Sequence, residues 1–258
     1  MEPLGAIARP YHLYVIFILA IVRIGGLLVF SPLLSSAAIY GRIKVMLTIV
    51  LAVLVTPILE RATPSSIDLA MSSILNELSI GFVFGLSLNF IFEAIAFSGM
   101  LIGMQFSFSL VNLLDPNTMI ETPVLGQMLN WLGMLTLLSA GLHRTLIAGF
   151  VHTFDVVPLG SVVFGISASV ELLHLASGIF FLGIQLASPV IASALIIEVV
   201  ISLVSKLSPQ LPAMVLSIPI KTSTSYLILI GGLAVWPGWI ESHFCQFLRA
   251  AENLVAKG

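Results

Sequence analysis

Residues 98–123 read SGMLIGMQFSFSLVNLLDPNTMIETP, and the way this run passes from helix to break to helix decides the architecture around it. It opens as membrane-type helix, and no charge interrupts it before a cluster of Phe106, Phe108, Leu110, Val111, Leu113 and Leu114. It then breaks at Asp115-Pro116, because proline disfavours helical backbone in the residue before it and has no N–H to donate. Thr118 to Thr122 is short and still carries Met119 and Ile120, and Pro123 suits the first position of a following helix. An apolar, kinked loop between two membrane-length helices cannot face lipid, since each unpaired backbone group in hydrocarbon costs several kcal/mol. It belongs inside protein or against a cavity.

Composition agrees with that reading. The 258 residues are 59% hydrophobic and 9% charged, with a mean hydropathy of +1.14. A soluble domain carries about a quarter charged residues, so the chain is expected to be an all-α integral membrane protein. A net charge of −2 gives no basis for nucleic-acid binding. The single cysteine, Cys245, has no internal disulfide partner and reads as a buried thiol. The N-terminal residues lack the pattern of a removable signal peptide.

Outward from the central break, the chain divides into about six long apolar helices with no soluble domain at either end. Leu13 to Leu34 spans a bilayer with one charge, Arg23, near its middle, where a lipid-facing arginine costs at least about 2.5 to 3.5 kcal/mol. Protein or water is therefore expected around it. The next span, Val45 to Leu59, is preceded by Arg42 and Lys44, which favours a cytoplasmic first connection. Ser72 to Gln105 follows, with Gly81, Gly85, Asn89, Glu93, Ala96, Gly99 and Gly103 three or four residues apart. Such a stripe reads as a helix-packing seam with Glu93 on its edge, facing a buried partner rather than lipid.

Val124 to Leu142 and Leu146 to Phe154 return as apolar helix, and Leu172 to Lys206 forms another overlong span, broken at Pro189 and charged only at Glu198. Pro209 and Pro212 bracket a turn. A last apolar run passes Pro219 and Lys221 to Trp236-Pro237. From Ile240, the residues Phe244, Phe247, Leu248, Ala251 and Leu254 share a face opposite Gln246, Arg249, Asn253 and Lys257. That pattern is an amphipathic helix suited to an interface or a partner.

Little in this sequence points to catalysis. The five histidines form no metal-ligand pair, and no Walker loop, GxSxG elbow or GxGxxG fingerprint occurs. Neither an enzyme activity nor a cofactor is expected. Glu93 and Glu198 admit two readings: hydrogen-bonded packing residues, or proton or ion carriers in a stand-alone secondary transporter or ion channel. The transporter reading asks for broken helices in two related halves, and the chain shows no convincing internal repeat. The Phe106 to Leu114 cluster likewise reads either as core or as a hydrophobic constriction that gates a pore.

The run MQFSFSLVNLLDPNTMIETPVLGQMLNWL, with the later HTFDVVPLG and SKLSPQLPAMVLSIPIK, resembles the FliR family of flagellar export-gate proteins, called SctT in virulence type III secretion. The similarity covers nearly the whole chain and leans toward the flagellum. Its most specific parts are the aromatic-aliphatic run before Asp115-Pro116 and Pro209-Gln210-Leu211 followed by Pro219 and Lys221.

The resemblance implies one subunit closing a helical ring made with FliP-like and FliQ-like membrane proteins, beside an FlhB-like subunit. Residues 1–160 would be the FliP-like part, 172–240 the FliQ-like hairpin and 241–258 the terminal amphipathic helix. Glu198, Pro209, Gln210, Pro219 and Lys221 would serve that hairpin and its partner contacts. The loop 106–122, including Asn112, would plug the conduit for unfolded export substrates. The assembly would sit in the bacterial inner membrane within the flagellar basal body, in contact with lipid and projecting partly to the periplasmic side.

Overall fold

The computed structural model describes residues 3–31, 40–62, 67, 69–106, 124–161, 166–208, 210 and 213–257. All regular structure among them is helical: α1 (Pro3–Phe30), α2 (Gly41–Ala62), α3 (Met71–Gln105), α4 (Val124–Ser139), α5 (Leu142–Val156), α6 (Ile166–Leu207), α7 (Ala213–Gly232) and α8 (Trp236–Lys257). Four of these helices are long and apolar enough to cross a membrane, and six spans result if the pairs α4–α5 and α7–α8 each count as one bent span. The chain is an all-α integral membrane protein. The 35 residues of α3 and the 42 of α6 correspond to about 52 and 63 Å of helix at about 1.5 Å per residue.

One correction concerns α6, which runs unbroken through Pro189 where the sequence suggested an interruption. Proline at 189 removes the N–H that would have bonded the Gln185 carbonyl. The Ser188 hydroxyl donates to that same carbonyl at 2.8 Å, so the freed acceptor is met and the helix continues.

Two compact units divide the chain: residues 1–90, 141–176 and 244–258 form the first, and residues 91–140 and 177–243 the second. Helices α3, α6 and α8 each pass from one unit into the other.

In the first unit, α1 and α3 run in the same direction and touch backbone to backbone. A Cβ on Gly81 would overlap the Arg23 carbonyl and lie 2.8 Å from Leu27 N, and a Cβ on Gly85 would lie 2.8 Å from Phe30 Cβ. Side chains larger than hydrogen would force the helices apart, which is why glycine occupies both positions. Phe84 of α3 meets Phe150 of α5 edge-on at 5.7 Å, and Phe150 meets Phe154 at the same distance. Within this unit the apolar face of α8 is covered by the chain itself: Phe244, Phe247, Leu248, Ala251 and Leu254 are all buried, while Gln246, Arg249 and Asn253 are exposed; Ile240, in the second unit, is buried as well. Gly149 of α5 admits Leu248, whose Cδ1 would lie 3.5 Å from a Cβ there. The terminal helix therefore packs inward, with its apolar face already occupied, instead of offering it to a membrane interface.

The second unit is built on α3 and α4 running antiparallel. A Cβ on Gly99 would lie 2.7 Å from Gly126 N, one on Gly126 would lie 3.1 Å from the Ala96 carbonyl, and one on Gly133 would lie 3.0 Å from Ile95 Cδ1. Gly183 brings α6 against α3 in the same way, 3.0 Å from the Ala94 carbonyl by the same measure, and Phe97 meets Phe180 edge-on at 5.4 Å.

Candidate functional site

Arg23 is fully buried in the first unit, and every direction it faces holds a partner. Its Nε donates to Glu77 Oε2 in an ion pair. Nη1 donates to the carbonyls of Thr153 and Val157 at 3.2 Å each, and Nη2 donates to the Val157 carbonyl at 3.1 Å. The guanidinium carbon stands 4.4 Å from the centroid of the Phe154 ring, a cation–π arrangement. Glu77, also fully buried, uses its second oxygen to accept from the Gly160 N–H at 2.8 Å. Gly160 has φ 78, in the left-handed region that glycine enters without strain, and this turn directs its N–H at the carboxylate. The network closes the C-terminal end of α5, where the last carbonyls of a helix lack partners of their own. An arginine and a carboxylate that satisfy each other and the surrounding backbone form a structural clasp among α1, α3 and the α5 terminus.

Glu77 is the residue that sequence reasoning missed. It lies one helical turn before Gly81, on the same face as the glycine stripe, and Arg23 in an apolar span requires an anion. Those two signals together would have identified it.

The proposed seam divides between two partner helices. Gly81 and Gly85 meet α1, Gly99 meets Gly126 of α4, and Gly103 has room, with Leu125 Cδ1 at 4.0 Å from a built Cβ. Asn89 is half-buried, and Glu93 is exposed with no partner among the described residues.

Of the hairpin residues, Glu198 of α6 and Lys221 of α7 are brought together as an ion pair, with side-chain exposures of 49% and 15%. Gln210 lies exposed at the turn, and Pro219 is exposed within α7. Pro209 lies outside the described residues.

Of the loop residues, Phe106 is described: it is buried and packs on Tyr226 of α7, with ring centroids 4.3 Å apart. Phe108, Leu110, Val111, Asn112, Leu113, Leu114, Asp115, Pro116, Met119 and Ile120 lie outside the described residues. Both stems of this loop are held. The α3 stem is fixed by Phe106 on Tyr226, and the α4 stem by buried Leu125 and by Gly126 against Gly99. Among the described residues, no three His, Cys, Asp or Glu side chains gather where they could hold a metal ion.

Comparison with known proteins adds a family. Residues 14–247 match the model of bacterial export proteins, family 1. The chain is similar to the flagellar biosynthetic protein FliR of Escherichia coli, with 24% identity over 238 residues, covering 92% of this chain and 91% of that protein. FliR of Bacillus subtilis is 25% identical over 248 residues, covering 95% and 96%. FliR of Pectobacterium carotovorum is 28% identical over 237 residues, covering 92% and 91%.

Proposed function

Since the chain belongs to family 1 of the bacterial export proteins, we propose that it is a structural and gating subunit of the flagellar type III protein export channel. It is a component of the flagellar export apparatus, embedded in a membrane by its apolar helices. In the proposed role it closes a ring with FliP-like and FliQ-like subunits beside an FlhB-like one in the inner membrane. The loop 106–122 blocks the conduit for unfolded substrates at rest.

The observation that carries this reading is the apolar surface of α6. Exposed large apolar side chains line it from Val170 and Leu173 through Phe180 and Ile184 to Leu203 and Leu207. That interval is about 56 Å of helix, whereas the hydrocarbon core of a bilayer is about 30 Å thick. Lipid covers about half of such a surface on an upright helix and about 39 Å of it at a tilt of about 40°, so neighbouring protein is expected over the remainder. A chain that needs partner subunits along its helices is a component of an assembly. The transporter alternative leans on Glu93 and Glu198, and of these two Glu198 is already engaged by Lys221.

The attachment of the flanking helices supports the gating reading: Phe106 packs on Tyr226, and Gly126 lies against Gly99, so the α3–α4 packing is held independently of the residues between them. Deleting residues 111–118 is therefore expected to raise passive ion conductance through the assembled complex in planar bilayers. A deletion complex that assembles fully and conducts no more than the unmodified one refutes the plug.

A further inference from the structure

Five charged residues within the apolar helices bear on this question: Arg23, Glu77, Glu93, Glu198 and Lys221. Four of them form pairs within the chain, Arg23 with Glu77 and Glu198 with Lys221. Glu93 is exposed and has no partner among the described residues. It stands about 33 Å from the start of α3 and about 18 Å from its end, too far from either for the short glutamate side chain to reach around the helix. The same face of α3 continues two and three turns later with Met100 and Met104, which are 43% and 50% exposed. An unpaired carboxylate in an apolar stripe excludes a lipid covering, since burying an isolated carboxylate in hydrocarbon is among the costliest placements available to a side chain. Methionines beside it suit a protein surface that must fit an irregular neighbour.

We propose that the Glu93–Met100–Met104 stripe of α3 docks a membrane helix of a different subunit, and that this helix presents a lysine or arginine to Glu93. The proposal rests on the reading that the chain works in a multi-subunit assembly. A second copy of this chain is the poorer fit, because Arg23 and Lys221 are already committed to carboxylates of their own and Arg249 lies on the polar face of α8 instead of in an apolar stripe. The partner therefore supplies the positive charge, and the pairing fixes the register of one helix against the other, as buried charges do at protein interfaces.

The test uses the full chain expressed with its natural partners. A photo-crosslinking amino acid at Met100 is expected to capture an apolar peptide of another subunit that has a Lys or Arg within two helical turns of the captured residue. Glu93→Lys is expected to reduce both that crosslink and co-purification of the same subunit by about thirtyfold or more. Changing the identified cation to Glu is expected to restore both. Circular dichroism melting of the Glu93→Lys chain alone, unchanged from the unmodified chain, separates lost docking from misfolding. Crosslinks to lipid or to a second copy, a captured peptide without a basic residue, unaltered co-purification of Glu93→Lys, or failure of the reciprocal change to restore docking each overturns the proposal. If no membrane subunit accompanies the unmodified chain, the assembly reading itself fails. If the subunits accompany it but the charge changes have no effect, the Glu93 pairing alone fails.

Discussion

Replacing Arg23 with methionine keeps much of the side-chain volume and removes the charge, leaving Glu77 buried with the Gly160 N–H as its one remaining donor. Breaking a buried ion pair from one side costs about 3 to 5 kcal/mol, because the surviving charge is stranded away from water. With about 2 to 4 °C of melting temperature per kcal/mol for a chain of this size, the loss is about 6 to 20 °C. Glu77→Leu alone is expected to cost a similar amount by stranding the guanidinium. The two losses added together would reach about 6 to 10 kcal/mol. The double replacement is expected to cost less than that sum. It leaves no charge, the Thr153 carbonyl keeps its bond from Val157 N at 2.9 Å, and the groups newly without partners are the Gly160 N–H and the Val157 carbonyl. At about 1 to 3 kcal/mol each, these amount to about 2 to 6 kcal/mol. Thermal unfolding of the detergent-solubilised chain, followed by the fluorescence of Trp131, Trp236 and Trp239, measures all three variants. Single changes that lower the midpoint by less than about 2 °C, or a double variant that loses the full sum, would refute the account of Arg23 and Glu77 as a mutually dependent pair.

Two glycines of the same stripe should behave differently when enlarged. Gly99→Ala is expected to destabilise the α3–α4 packing, whereas Gly103→Ala is expected to be tolerated because a Cβ there meets nothing nearer than 4.0 Å; equal melting temperatures for the two variants contradict the packing described. Ser188→Ala removes the donor to the Gln185 carbonyl and is expected to destabilise α6 at Pro189 by about 1 kcal/mol, visible as faster amide exchange in the adjacent turn. Unchanged exchange would mean that solvent meets that carbonyl as well as the hydroxyl does.

Hydropathy and spacing made the helices legible, because spans of apolar residues bounded by proline, glycine and charge have few alternatives to helix in a membrane. The small-residue stripe on α3 was legible as a packing face, but periodicity reports which side of a helix is small and not what covers it. Two different helices cover it: α1 at Gly81 and Gly85, and α4 at Gly99. The inward packing of α8 was hidden for the same reason, since an amphipathic pattern is identical whether lipid, a partner or the chain's own α5 lies against it. Pro189 misled because the compensating hydroxyl of Ser188 acts through a single hydrogen bond that no period records. Glu77 escaped because its significance depends on Arg23, 54 residues earlier.

That separation in sequence also has a temporal side. Arg23 is made early, its carboxylate partner follows 54 residues later, and the carbonyls it holds at Thr153 and Val157 follow 130 and 134 residues later. At about 5 to 20 residues per second, the ribosome needs about 7 to 27 seconds to deliver the last of these groups. For that interval the first helix carries a cation that cannot rest in hydrocarbon unaided. The nascent chain must therefore be sheltered by the insertion machinery, or sit shallowly enough to keep its guanidinium wet, until the later helices arrive to claim it.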